Sequence, residues 1–325
     1  MRVFQRAALR RTPCRFSARA LGWSPRLLTG ISRSSLPIYS PAKYNTYRNE
    51  STASTSTSGE VEAGDIRDDI HALEADARAL VADESRGRDP HELARILSRL
   101  SEHSALPQAS AVLALVGPYV SSCTDFSARD IAMALHGVNA FGIDAPGMSG
   151  ILSAMCRHIS ACRDAFTARD LAMSLYGLRS CKGTVCEEPL RAILKALAPQ
   201  IERSGEQMKS QEIGMALTGL QSCRSEHAET CAVLSALAPQ IEHCLEPLDA
   251  QAVGTALYGL RSCSSAHAET RAVLSALAPQ IERCTTPLSA KCVAMAHSGL
   301  RSCSSDHAEV RAVRTAMARL QSSTR

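Results

Sequence analysis

The chain has 325 residues, enough for a large core or an extended array, and is 45% hydrophobic but only 4% aromatic. Ala and Leu supply most of the apolar surface, a balance that disfavours β-sandwiches and Rossmann sheets and suits packed helices. The net charge of +4 belongs to the N-terminus: residues 1–50 hold ten Lys/Arg against one acid, whereas residues 89–325 hold 22 of each sign. Overall basicity is therefore no argument that the folded part binds nucleic acid.

Residues 1–48 open with "MRVFQRAALRRTPCRFSARALGW", Arg-rich and then Ser-rich, with no acid before Glu50. That profile predicts an organellar transit peptide, with the mitochondrial matrix as the address and a plastid as the alternative. A secretory signal needs an apolar run of at least ~7 residues, which is absent. No stretch approaches the ~18 apolar residues of a membrane span. Residues 49–88 form an acidic, low-complexity linker. Within it, Ile66, Ile70, Leu73 and Leu80 predict a short helix over 65–83, packed on the end of the array that begins at Asp89.

From Asp89 the sequence repeats. Arg99, Gly137, Gly177, Gly219, Gly259 and Gly299 each precede a recurring aliphatic residue, at spacings of 38, 40, 42, 40 and 40. The clearest copies read "DIAMALHGV", "DLAMSLYGL", "EIGMALTGL", "AVGTALYGL" and "CVAMAHSGL". The period defines six units, near 89–126, 127–166, 167–208, 209–248, 249–288 and 289–325. Each reads as two helices, A and B.

Helix A opens on an N-cap ten residues before the anchor: Asp89, Ser127, Thr167, Asp249 or Ser289. Glu92, Asp130 and Asp170 at N3 approach a capping box, and Phe126, Phe166, Leu248 and Leu288 precede the cap as staples. The fourth unit departs, with Lys209 at the cap and Ser210 one residue late. Position N5 is always Ala or Gly, which suits close approach of a neighbouring helix. Helix B carries Pro199, Pro239 or Pro279, which predicts a kink or a split there. One such pair cannot bury both faces alone, so the expected fold is all-α: a right-handed-type α-solenoid of about six helical-pair repeats. Helices A are expected to line one surface and helices B the other.

Two stretches, "HAETCAVLSALAPQIEHC" (227–244) and "HAETRAVLSALAPQIERC" (267–284), match at 16 of 18 positions and invite a reading as a duplicated site. Their chemistry argues otherwise. Cys181, Cys223, Cys263 and Cys303 fill one repeat position, and Cys123, Cys162, Cys244 and Cys284 another. Equivalent positions lie one helix spacing apart, roughly 10 Å, too far to share a zinc at ~2.3 Å per Zn–S bond. These thiols are expected to be structural, with no metal or cofactor. His227, His267 and His307 fill a third column, as local capping or surface residues. Cys181 and Cys186 flank a two-residue insertion, the one place where a local redox role is considered. There is no nucleophile elbow, P-loop, G-x-G-x-x-G after a strand or H-E-x-x-H, so no enzyme is expected.

The stretches "EPLDAQAVGTALYGLRSC" (246–263) and "TPLSAKCVAMAHSGLRSC" (286–303) resemble octotricopeptide repeats, and the related leucine-rich region of FAST kinase-like and RAP-domain proteins. The resemblance covers 89–325. It departs at the family's tryptophan position, here Met133, Met173, Met215, Thr255 and Met295, and no RAP-domain pattern follows, so nuclease activity is not implied. The resemblance implies an organellar RNA-binding protein in RNA stability, processing or translation. Its partners would be single-stranded mRNA or rRNA and other RNA-processing or ribosomal proteins. The alternative is a protein–protein scaffold, such as an organelle ribosome or assembly-factor component.

If RNA lies along helices A, the candidates are polar positions off the core stripe. At N2 these are Arg129, Arg169, Gln211, Gln251 and Lys291; at N9, His136, Tyr176, Thr218, Tyr258 and Ser298. Both columns vary between near-identical units, as a base-reading position would, and as any unconstrained solvated position would. Arg179, Arg261 and Arg301 follow helix A, in a column with Asn139 and Gln221. They suit either phosphate contact or the compensation of helix C-terminal dipoles.

Overall fold

A computed structural model describes residues 63–82, 89–142, 144–181 and 187–322, with the side chains of 63–67 left aside. The transit-peptide segment, most of the linker and Cys186 lie outside the described residues. Among the described residues there are thirteen α-helices and no strands. They are α1 (Ala63–Ala82), α2 (Pro90–Leu100), α3 (Pro107–Ser122), α4 (Ala128–Val138), α5 (Met148–Ala161), α6 (Ala168–Gly177) and α7 (Glu187–Arg203). After these come α8 (Ser210–Gly219), α9 (Ala228–Glu242), α10 (Ala250–Gly259), α11 (Ala268–Glu282), α12 (Ala290–Gly299) and α13 (Ala308–Ser322).

The helices pack in alternation. The even-numbered series α2, α4, α6, α8, α10 and α12 stacks in chain order, as does the odd-numbered series α1 to α13. These are the expected A and B layers of an all-α solenoid. The seam between them is filled by the aliphatic stripe of each helix, for example Ile131 and Leu135 with Ile151 and Leu152, all fully buried.

Local chemistry sets where each A helix begins. Ser127 Oγ accepts from Asp130 N–H at 3.1 Å, and the Asp130 carboxylate accepts from Ser127 N–H at 3.3 Å. Thr167 and Asp170 repeat this box at 3.1 and 3.2 Å. In the departing fourth unit an ammonium cannot accept, and the reciprocal half alone persists: Glu212 accepts from Lys209 N–H at 2.8 Å. Ser210 is redeployed between repeats, where its hydroxyl accepts from Asp249 N–H at 3.2 Å.

The anchor glycines set the spacing of the A layer. A Cβ on Gly137, Gly177, Gly219, Gly259 or Gly299 would lie 2.2, 2.4, 2.1, 2.0 or 1.9 Å from a backbone carbonyl oxygen of the preceding A helix: Leu97, Leu135, Leu175, Leu217 or Leu257. Backbone therefore meets backbone at every A–A junction. The first unit carries Arg99 in this column because no A helix precedes it. Arg99 and His103 instead reach Asp69 of α1, His103 Nε2 at 2.7 Å. Helix α1 thus forms within a residue or two of the expected 65–83 span and packs on the end of the array, as expected. It buries Ile70, Leu73, Ala77 and Leu80, and packs on α3 as a B-layer member.

The B-layer prolines do not split their helices. Pro199, Pro239 and Pro279 sit inside continuous α7, α9 and α11; each forgoes one backbone hydrogen bond, a cost offset by burial of the apolar residues on either side, such as Leu237 and Ile241. Orphan carbonyls at the C-terminal ends of the B helices α3, α5 and α9 are satisfied from the next repeat. His158 Nε2 meets Val120 O at 2.7 Å, and the Gln200 amide donates to Ile159 O at 3.3 Å. Gln280 donates to Ile241 O at 3.0 Å and to Glu242 O and Cys244 O at 3.3 Å.

Candidate nucleic-acid interface

Positions N2 and N9 are seven residues apart, so they share one helix face two turns from each other. Burial places that face on the outside of the A layer. Arg129, Arg169, Gln211, Gln251 and Lys291 lie toward solvent at N2, whereas N4 and N8 are buried in α4 to α10. The structure therefore brings the N2, N9 and post-helix columns to one side of the A layer, running from repeat to repeat, with Tyr176, Asn139 and Gln221 buried within it.

The N9 side chains lie lower, in the grooves between adjacent A helices. His136, Thr218, Tyr258 and Ser298 are half-buried, and Tyr176 is 3% exposed. The His136 and Tyr176 rings stack across the α4–α6 junction, 5.9 Å apart and 19° from parallel. Thr218 Oγ1 donates to Gly214 O at 2.6 Å and reaches Thr255 O of the next A helix at 3.3 Å. N9 is thus partly a packing column, which periodicity alone does not reveal.

The post-helix column forms a ladder. Arg179 Nε donates to Asn139 Oδ1 at 2.9 Å, Gln221 Nε2 to Arg179 O at 3.1 Å, and Arg261 Nε to Gln221 O at 3.0 Å. The Arg179 guanidinium lies over the Tyr176 ring, 4.4 Å from its centre, and Arg261 lies over Tyr258 at 4.8 Å. Each also donates to its tyrosine hydroxyl. Two of the three arginines therefore tie neighbouring repeats together, and both guanidinium groups sit at a half-buried surface. Arg301 is exposed.

Charge on this face is uneven. Between Ala128 and Ser302 the A helices and the short turns or 3₁₀ segments that end them carry six cations: Arg129, Arg169, Arg179, Arg261, Lys291 and Arg301. They carry three acids, Asp130, Asp170 and Glu212, and every one of these is turned onto the N-terminus of its own helix. The 22-to-22 balance of the array hides this local surplus.

One group on the face is strongly perturbed. Burial, and secondarily Arg179, holds His136 down to about 4 from an ordinary 6.5. Folding therefore favours the neutral imidazole. That contribution is complete above the unfolded value of 6.5 and is lost as pH falls through the folded value near 4. His136→Gln is expected to lose less stability than the parent between pH 7 and pH 4. Urea midpoints for both proteins across that range check this, and a constant difference would contradict it.

The cysteine columns are structural in geometry. Cys263 Sγ donates to Cys223 O at 3.6 Å and Cys303 Sγ to Cys263 O at 3.8 Å, a thiol–carbonyl ladder along the repeats. Cys244 Sγ donates to Glu246 O at 3.2 Å. Burial pushes the Cys223 thiol up to about 12 and the Cys263 thiol up as well, the opposite of an activated nucleophile. Next to Cys181 and Cys223 a groove of about 300 Å³ is lined by Arg191 of α7 and by Arg224 and His227 of the segment before α9. His227 and His267 occupy the N-cap positions of α9 and α11 but make no side-chain cap. No protein-family model matches this chain, and no curated protein matches it in sequence.

Proposed function

We propose that the protein is an organellar helical-repeat protein that binds single-stranded RNA along the outer face of its A layer. The carrying observation is the coincidence of three features on that face. Variable polar columns converge there, cations outnumber acids two to one, and the acids are consumed in helix capping. In this reading the N2 cations meet phosphates and position the strand. The Tyr258–Arg261 pair offers an aromatic and guanidinium platform on which a base stacks. Arg179 and Arg261 hold the repeats in register, so they shape the surface as well as line it. The Arg-rich segment 1–48 supports delivery to mitochondria.

Fluorescence anisotropy of the full chain with a labelled single-stranded RNA tests this. The triple variant Arg129→Glu, Arg169→Glu, Lys291→Glu is expected to bind more than about tenfold more weakly. Its salt dependence should be shallower by roughly 0.7 in log–log slope for each phosphate the variant no longer neutralises. The B-layer variant Lys195→Glu, Arg314→Glu should bind like the parent. Equal weakening in both variants, or none in either, would contradict a site on the A face. Absence of RNA binding by the parent would favour a protein partner on the same surface.

A further inference from the structure

The near-identical stretches 227–244 and 267–284 differ at two positions, Cys231 against Arg271 and His243 against Arg283. The first difference falls in a contact that recurs along the B layer. Arg191 of α7 pairs with Glu229 of α9, Nε to Oε2 at 3.1 Å and Nη2 to Oε1 at 3.0 Å. Two junctions later Arg271 of α11 faces Glu309 of α13, with Nε 4.0 Å from Oε1. At the α9–α11 junction between them the acid is kept as Glu269, but the arginine is replaced by Cys231. The positive charge is missing from that one junction.

The histidine column completes the group. His227, one repeat earlier, has Nε2 3.0 Å from the carboxylate of Glu187, which fills the same column in the repeat before it. His267 comes after another histidine in that column and has no such acid. Cys231 Sγ, a ring nitrogen of His267 and a carboxylate oxygen of Glu269 all lie within 4.8 Å of one another. All three residues are half-buried. Among the described residues this is the one group of three or more His, Cys, Asp and Glu side chains so placed.

We propose that Cys231, His267 and Glu269 form a zinc site, in which Zn²⁺ takes the place of the guanidinium that the flanking junctions use. Thiolate, imidazole and carboxylate are the three ligand types zinc takes, at ~2.0–2.3 Å, which sets ligand atoms roughly 3.3–3.8 Å apart in a tetrahedron. Small side-chain rotations close the present separations to that value. The thiolate selects a borderline-soft ion over Mg²⁺ or Ca²⁺. On binding, the Cys231 S–H bond breaks, its proton leaves to solvent, and its electron pair forms the Zn–S bond. Three protein ligands leave the fourth vertex to water. The two recurring cysteine columns place equivalent thiols one repeat apart and cannot build this site. It depends on a cysteine that belongs to neither column. It lies in the B layer and does not rest on the RNA reading.

The test uses the full chain, stripped with EDTA and titrated first with Co²⁺ and then with Zn²⁺. The expected result is a thiolate-to-cobalt charge-transfer band that saturates at one ion per chain and is displaced by Zn²⁺, together with a Tm raised by Zn²⁺. Cys231→Arg restores the residue of the flanking junctions, so it keeps the fold. It should abolish the band and weaken Zn²⁺ binding by more than about tenfold. His267→Gln should weaken binding similarly, whereas Cys156→Ser and Cys292→Ser should leave band and affinity unchanged. No charge-transfer band at saturating Co²⁺ in the parent would overturn the proposal, as would a band that survives Cys231→Arg.

Discussion

Gly259→Ala is expected to destabilise the array by about 3 kcal/mol, at the upper end of the usual range for overpacking a core. Alanine is the better helix former by roughly 1 kcal/mol, and in an open helix that preference would decide the sign. Here the new methyl lies 2.0 Å from Leu217 O and 2.3 Å from Leu217 C, and neither is the movable end of a side chain. Relief requires α8 and α10 to separate along the junction, which also loosens the packing of Leu217 and Leu257, both fully buried. Gly150→Ala makes the opposite prediction from the same chemical change. Gly150 lies exposed in α5 with nothing within 4 Å of its Cβ position, and alanine there should stabilise by roughly 0.5–1 kcal/mol. Urea unfolding of both variants, followed by helical circular dichroism, checks the pair. A Gly259→Ala protein as stable as the parent would mean that the A helices are not held at backbone contact.

Leu217→Ala should cost a similar amount, about 3 kcal/mol, within the usual range for truncating a fully buried leucine. The side chain is 0% exposed, and both neighbouring A helices are held at close backbone distance, so the cavity cannot collapse freely. Position in the array matters as much as burial. Stability in a solenoid sums over neighbour interfaces, so a defect at α8 weakens the packing on both α6 and α10. Met317→Ala in α13 removes a comparably buried side chain, but α13 packs chiefly on α11. It should fray that helix with little effect elsewhere. Hydrogen exchange distinguishes the two: accelerated exchange across α6 to α10 for Leu217→Ala, and acceleration confined to α13 for Met317→Ala.

These expectations separate the parts of the molecule that are legible in the sequence from those that are not. The start of each A helix is legible, because a cap is local chemistry: Ser127 and Asp130 are three residues apart, and their bonds need nothing from elsewhere. The two-layer alternation is legible because the repeat period and aliphatic stripe leave few ways to bury both helices. The meaning of the glycine column is not, because it depends on a helix some 40 residues earlier. Arg99 is the available clue, since a glycine absent only from the first unit points to a preceding neighbour. The prolines suggest a kink or a split, and the structure contains no split. Each costs one backbone hydrogen bond, and the burial that offsets it, at Leu237 and Ile241 for example, depends on neighbouring repeats that residue type alone does not give.

The site divides along the same line. The sequence identifies three variable polar columns, and helical geometry places them on one face. It does not separate the N2 side chains at the solvent face from the N9 side chains wedged between helices, because burial at N9 depends on how closely the glycines let the next helix approach. Nor do column averages expose Cys231. A column that reads Arg, Cys, Arg, Arg at 191, 231, 271 and 311 is informative only once Glu229, Glu269 and Glu309 are seen opposite it.

The most direct test of the proposed function is photo-crosslinking of the full chain to RNA in isolated organelles, with the crosslinked peptides identified by mass spectrometry and the RNA sequenced. The account predicts crosslinks within 128–139, 168–179, 210–221, 250–261 and 290–301, the A helices and their outward ends, and recovery of single-stranded regions of organellar transcripts. Crosslinks confined to B-layer peptides, or no RNA above background, would contradict it.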